Sequence, residues 1–274
     1  MHDGIVFGAD SASSLVANDA GRSVVTNVYR HGNKVFNLYK KLPIVAMTAG
    51  MGSIGPAPIH ALAKDFRRHL RDNGSPYYID DNAYEIGDVA IKARAFLFEE
   101  KYQALPAPLP TPHSLEFWVG GYSSGSPSHE LWKIVIADGN CPAPQKLCGD
   151  FQPGLFVGGQ PSPIYRLLRG FDDTIEEPLL KAGVPQADLP QLLTVIAQHT
   201  QVPLLHPAMP IQDAIELVDF LVGMTKSYYR FLPGADTVGG DTDIAVVTRH
   251  ERFKWVKRKH YYSPLLNVME TDHA

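Results

Sequence analysis

The stretch that decides the fold opens the chain: Asp3-Gly4-Ile5-Val6-Phe7-Gly8-Ala9-Asp10-Ser11-Ala12-Ser13-Ser14. The Asp-Gly pair predicts a turn, and the apolar run 5–7 predicts a buried strand that ends at the carboxylate of Asp10. The small hydroxyl residues after Asp10 leave room for another backbone to approach. A carboxylate held at the end of a rigid strand suits a functional site, although an Asx-type turn at Asp10 explains the same pattern.

The composition is that of an ordinary globular protein, with 274 residues, 45% of them hydrophobic and 20% charged, and a net charge of -4. This charge favours neither nucleic acid nor an anionic membrane as a partner, and no apolar run approaches the roughly 18–20 residues of a membrane span. Cys141 and Cys148 have neither a disulfide framework nor a metal-ligand spacing, and no leader opens the chain, so the expected compartment is the cytoplasm. The basic run 254–260 alternates with apolar residues and is interpreted as the solvated face of a strand.

The predicted elements come in groups of strands and groups of helices. Strands are predicted at 5–7, 23–29, 34–38 and 44–49, helices at 59–70 and 83–105, strands at 115–122, 131–137 and 155–157, helices at 163–170, 188–199 and 211–230, and strands at 243–248 and 253–259. Such grouping predicts antiparallel sheets covered by helix pairs and argues against a parallel doubly wound fold. No linker-like segment or internal repeat interrupts the chain, so 1–274 is expected to form a single domain.

Two motifs admit other interpretations. Gly50-Met51-Gly52-Ser53-Ile54-Gly55 matches the dinucleotide pattern GxGxxG between a strand and a helix, but the segment after that helix is too short and polar for a second parallel strand. Its glycine amides still suit a developing oxyanion. Gly121-Tyr122-Ser123-Ser124-Gly125 matches the GxSxG nucleophile pattern, but it leads into a strand and is predicted to be a hairpin loop. The eleven histidines show no metal-ligand spacing, and a Ser-His-Asp hydrolase would depend on contacts between distant residues.

Six groups of short segments, spread over nearly the whole chain, come in the same order as in a known protein family. They are Asp3 to Asp10; Asn33-Lys34-Val35-Phe36; Ala49-Gly50-Met51-Gly52-Ser53; Phe156-Val157-Gly158-Gly159; Met209-Pro210 with Asp213-Ala214-Ile215-Glu216-Leu217; and Val238-Gly239-Gly240 with Asp243-Ile244-Ala245-Val246. Together they resemble the proteasome β-type family of N-terminal nucleophile hydrolases, in its bacterial proteasome-like branch. The resemblance implies an α+β fold, a four-layer αββα sandwich with two antiparallel sheets between helix layers.

The resemblance also implies a site. Asp10 would orient it, the charge of Lys34 would lower the cost of forming an alkoxide, and the amide of Gly50 would donate to the oxyanion, with Asp236 in support. Three further residues would line the cleft in which an extended peptide pairs as an added strand: Ser14, Thr48 and Ala49. The family needs no cofactor and no metal. Its partners would be a peptide or small amide substrate and further copies of the chain, in a homo-oligomer or a ring.

In that family the nucleophile is the hydroxyl of an N-terminal threonine, whose own α-amine is the general base for acyl transfer. Only Met1 and His2 precede Asp3 here, and glycine stands at 159 and 239, where the family has serines. One expectation is a longer product with the threonine upstream, acting as a threonine peptidase or amidohydrolase. The other is a catalytically inactive proteasome-like structural or assembly subunit. The cost of keeping a buried Asp–Lys pair favours the first.

Overall fold

Residues 3–19, 22–109 and 111–259 are described by a computed structural model, and they form mixed α and β structure. The strands are β1 (Ile5–Ala9), β2 (Ser13–Asp19), β3 (Arg22–Tyr29), β4 (Val35–Tyr39), β5 (Ile44–Gly50), β6 (Ser53–Ile54), β7 (Ala57–Pro58), β8 (Ser114–Tyr122), β9 (His129–Ala137), β10 (Gln145–Cys148), β11 (Asp243–Thr248) and β12 (Arg252–Lys257). The helices are α1 (Ile59–Arg71), α2 (Ile86–Arg94), which continues as a π-helix over Ala95–Tyr102, α3 (Ser162–Arg169), α4 (Glu176–Lys181), which follows a 3-10 turn at Asp173–Ile175, α5 (Leu189–Thr200) and α6 (Ile211–Phe231).

The strands of the described residues fall into four sheets. Five strands form an antiparallel sheet in the order β10-β9-β8-β5-β4, three form another in the order β1-β11-β12, and β2-β3 and β6-β7 are separate two-stranded ribbons. The predicted antiparallel pairing is confirmed in both larger sheets. The predicted two-sheet, four-layer αββα sandwich is wrong, because the strands divide among four sheets and not two.

The turn after β1 accounts for part of this difference. Asp10 Oδ2 accepts a hydrogen bond from the backbone N–H of Ala12 at 2.9 Å, an Asx-type turn that redirects the chain as β1 ends. The next strand, β2, is not part of the three-stranded sheet, and among the strands that the structure describes it pairs only with β3. Leu15 and Val16 are 48% and 57% exposed on this ribbon, where a strand inside a sheet would have buried one face.

Two apolar cores hold the larger sheets in place. The first lies between the five-stranded sheet and helices α1 and α2, where Phe66, Phe96 and Phe117 are fully buried. The second lies where the five-stranded and three-stranded sheets meet, and it includes Phe7 from β1 and Trp118 from β8. Helix α6 packs on β1 and β11. Helix α1 shows the apolar spacing that the sequence predicts, with its charged side chains outside.

Other local predictions have mixed outcomes. The predicted hairpin between the antiparallel strands β8 and β9 is confirmed, with Gly121 and Tyr122 inside β8 and residues 123–128 as the loop. The predicted strand at 155–157 is wrong because that segment has no regular secondary structure and pairs with no strand among the described residues. β5 is antiparallel to both of its neighbours and a two-stranded ribbon separates Gly50 from α1, so the parallel unit of a dinucleotide site is not formed there.

No helix in the described ranges is long and apolar enough to cross a membrane.

Candidate functional site

An ion pair joins the two charged residues that the sequence singles out. Lys34 Nζ lies 2.5 Å from Asp10 Oδ1, and the two side chains are only 22% and 13% exposed. The other oxygen, Asp10 Oδ2, accepts the backbone N–H groups of Ala12 and Gly239, each at 2.9 Å. Asp10 at the end of β1 thus holds the ammonium group of Lys34 in one place. Its carboxylate also connects β1 to the segment before β11.

Asp10 and Lys34 both line a large cleft with a volume of about 1430 Å³. β1 contributes one wall of the cleft, and it is an edge strand of its sheet because it pairs only with β11 among the described residues. An unpaired strand edge offers backbone N–H and C=O groups to an extended chain. Six of the seven residues that the resemblance implies line the cleft: Asp10, Ser14, Lys34, Thr48, Ala49 and Gly50.

Gly50 ends β5 with a backbone conformation that favours glycine, with φ of 84°. An added Cβ would overlap the carbonyl oxygen of Ser114, which itself accepts a hydrogen bond from Met51 N–H at 2.8 Å. The chain therefore needs glycine where the strand turns away beside the cleft. This is the position at which the sequence analysis expects an oxyanion-binding amide.

The three residues predicted to bind substrate form parts of the cleft wall. Thr48 is buried, and its hydroxyl donates to the carbonyl oxygen of Glu116 at 3.1 Å while its N–H donates to the carbonyl oxygen of Lys34 at 2.8 Å. Thr48 therefore ties β5 to the residue that carries the ammonium group. Ala49 lies against Gly159, and Ser14 is half-buried on β2.

Asp236 is the one predicted residue that does not line the cleft. It forms an ion pair with Arg30 at 2.8 Å, and these side chains are 30% and 51% exposed. It lies near Gly239, whose N–H bonds to Asp10. Any support that Asp236 gives to Asp10 passes through the backbone of this segment and not through a side-chain contact.

A second buried ion pair, which the sequence analysis missed, lies next to the first. Lys259 Nζ is 2.6 Å from Asp243 Oδ2, and both side chains are 3% exposed. The same ammonium group donates to Ser11 Oγ at 2.6 Å and to the carbonyl oxygen of Gly32 at 2.7 Å. Interpreting the run 254–260 as a solvated face is thus wrong for Lys259. Lys259 thus forms hydrogen bonds to Ser11, the residue after Asp10, and to Gly32, in the loop that leads to Lys34.

Comparison with known proteins adds no relative. No known protein-family model matches the chain, and no curated protein sequence matches it. The resemblance to the proteasome β-type family stays a prediction, and function is inferred from the geometry of the cleft. Within the described ranges, no group of three or more His, Cys, Asp or Glu side chains could hold a metal ion.

His60 on helix α1 also lines the cleft, close to Lys64. Burial lowers the pKa of His60 from its ordinary value, and the charge of Lys64 lowers it further. We expect Lys64→Gln to raise this pKa, but not to the ordinary value, because burial is the larger cause. Titration of the imidazole signals by NMR measures the change. Lys181→Gln, which removes a more distant cation, should leave the pKa of His60 unchanged. If the pKa of His60 stayed the same or fell in Lys64→Gln, the charge of Lys64 would not be a cause of the lowered pKa.

Proposed function

We propose that this protein is a proteasome-type threonine peptidase or amidohydrolase that acts on peptide or other amide bonds. The observation that carries the proposal is the 2.5 Å Asp10–Lys34 ion pair at the wall of the large cleft, which the glycine that ends β5 also lines. The edge of β1 that pairs with no other described strand supports it further, because an extended peptide can pair there as an added strand.

The proposed reaction is acyl transfer. By resemblance, the nucleophile is the hydroxyl of an N-terminal threonine on a strand ahead of Asp3, and its α-amine accepts the hydroxyl proton. The ammonium group of Lys34, held by Asp10, stabilises the alkoxide that attacks the carbonyl carbon. The amide of Gly50 donates to the resulting oxyanion. The leaving amine then takes the proton, and water releases the acyl group to restore the hydroxyl.

The test uses protein purified from its native source. N-terminal sequencing identifies the first residue, and hydrolysis of fluorogenic peptide amides measures activity. A peptide β-lactone, which acylates nucleophilic hydroxyl groups, then identifies the modified residue by mass spectrometry. We expect a labelled N-terminal threonine, and we expect Lys34→Met to reduce hydrolysis by about 100-fold or more, since it removes a charge that stabilises the transition state.

Lys133→Met is a matched control. Lys133 forms an ion pair with Glu116 that is also 2.5 Å long, and the side chain of Lys133 is also 22% exposed, but it does not line the cleft. Both variants lose a comparable ion pair, and only Lys34→Met should lose activity per folded molecule. Equal activity loss in the two variants, or a native protein that starts at Met1 and hydrolyses no amide, would contradict the enzyme proposal.

The second candidate is a catalytically inactive proteasome-like structural or assembly subunit. It is favoured by the hydrogen bonds of Asp10, because its two carboxylate oxygens connect β1, the residue before β4 and the segment before β11. A network of this kind stabilises a fold whether or not chemistry occurs. In that case Lys34→Met would reduce stability and have no activity to change.

Assembly and compartment belong to the same proposal. We place the protein in a homo-oligomer or ring, with helix α6 as a candidate contact surface. We place it in the cytoplasm, where its free thiols Cys141 and Cys148 would stay reduced. The molar mass measured by light scattering at several protein concentrations tests the assembly.

A further inference from the structure

The exposed side of helix α1 carries four cations, Lys64, Arg67, Arg68 and Arg71, here called the α1 stripe. Their spacing of three or four residues places them along one side of the helix. Together with Asp72 they line a shallow groove of about 390 Å³. Lys64 lines both this groove and the large cleft, so the two are adjacent at that residue.

The charge of the stripe is poorly neutralised. The only ion pair in the stripe among the described residues joins Arg68 to Asp65 at 3.5 Å, and the Arg68 side chain is 76% exposed. Arg67 donates to the carbonyl oxygen of Asn37 at 3.5 Å, and Arg71 lies over the ring of Tyr39 at 6.0 Å. These contacts orient the guanidinium groups without cancelling their charge. The four cations outnumber the two carboxylates beside them, Asp65 and Asp72, so this side of the helix has an excess of positive charge on a protein whose net charge is -4.

Helix α1 begins at the cleft and carries its charges away from it. The N–H of Ile59, the first residue of the helix, donates to the carbonyl oxygen of Gly52 at 2.9 Å, two residues after Gly50. From His60 to Arg71 a helix rises roughly 16 Å, which is the length of about five residues of extended chain. A polypeptide that leaves the cleft near Lys64 could therefore place several side chains along the stripe.

We propose that the α1 stripe binds acidic residues of an extended polypeptide whose neighbouring residues occupy the cleft, so that the protein selects acidic peptides. That the bound peptide is a substrate rests on the proposed function. That the stripe binds the peptide does not. A polypeptide is favoured over nucleic acid because one backbone edge of β1 pairs with no other strand among the described residues, and because the lining of the groove contains no aromatic side chain on which bases could stack.

Binding can be measured without hydrolysis by fluorescence anisotropy. The probes are a fluorescein-labelled peptide of six glutamates and one of six glutamines, at low and high salt. The test variant is Lys64→Gln/Arg68→Gln/Arg71→Gln. The control variant, Lys181→Gln/Arg230→Gln/Lys254→Gln, removes three exposed cations from α4, α6 and β12 and changes the net charge equally. Circular dichroism and thermal unfolding confirm that both variants fold.

We expect the wild-type protein to prefer the glutamate peptide, with binding that weakens as salt increases. The test variant should bind it about 10-fold more weakly, whereas the control variant should change by less than about twofold, because surface charge pairs act over short distances. Equal binding of the two peptides, or equal loss in both variants, would overturn the proposal. Tighter binding of a six-residue thymidine oligonucleotide would overturn it in favour of nucleic acid. A protein that binds the glutamate peptide through the stripe but hydrolyses nothing would refute the enzyme function alone.

Discussion

Lys259→Met is expected to lower the free energy of unfolding by about 3–5 kcal/mol, the cost of removing one partner of a buried ion pair. The variant would leave the Asp243 carboxylate in a position where its side chain is 3% exposed, without the ammonium group 2.6 Å away. Ser11 Oγ and the carbonyl oxygen of Gly32 would lose a donor as well. Urea unfolding followed by circular dichroism gives the value.

The exposed pair between Lys257 and Asp219 serves as the control, since its side chains are 52% and 43% exposed. Lys257→Met should cost at most about 1 kcal/mol. The double variant Asp243→Asn/Lys259→Met should regain part of the loss, because the uncompensated buried charge is gone. If Lys259→Met cost no more than Lys257→Met, the buried network would not stabilise the fold as described.

Gly50→Ala is expected to lower the free energy of unfolding by about 3 kcal/mol or more and to alter the cleft. Two costs add at this position. A residue with a Cβ loses roughly 1–2 kcal/mol in the left-handed region, and Gly50 has φ of 84°. The new methyl group would also overlap the carbonyl oxygen of Ser114 on the neighbouring strand, so β5 or β8 would have to move.

Gly139→Ala separates these two costs. Gly139 has nearly the same φ, 82°, but an added Cβ there would meet no atom within 4 Å. This variant should lose only the conformational part, about 1 kcal/mol. Thermal and urea unfolding of both variants measure the difference. Equal losses would mean that the strand next to Gly50 accommodates the methyl group without cost.

Several features could be predicted because they depend on neighbours in sequence. The apolar spacing of α1 marks its buried side, and the loop at 121–125 between two apolar runs predicts the β8–β9 hairpin. The strand of small and apolar residues before Asp10 places a carboxylate at a strand end. Missed elements have weaker local patterns. β2 begins within a run of small hydroxyl residues, at Ser13, and the four-residue strand β10 lies in a Pro-containing segment.

The sequence by itself determined which residues could carry a site: a carboxylate after β1, a lysine before β4 and a glycine at the end of β5. Only the tertiary structure decided that Asp10 and Lys34, which are 24 residues apart, are 2.5 Å from each other, and that β2 and β3 leave the main sheets. It also decided that Lys259 is buried against Asp243 while Lys254, Lys257 and Arg258 face solvent. The physical reason is that the burial of a charge depends on its desolvation and on partners far along the chain. A short stretch of sequence contains no information on either.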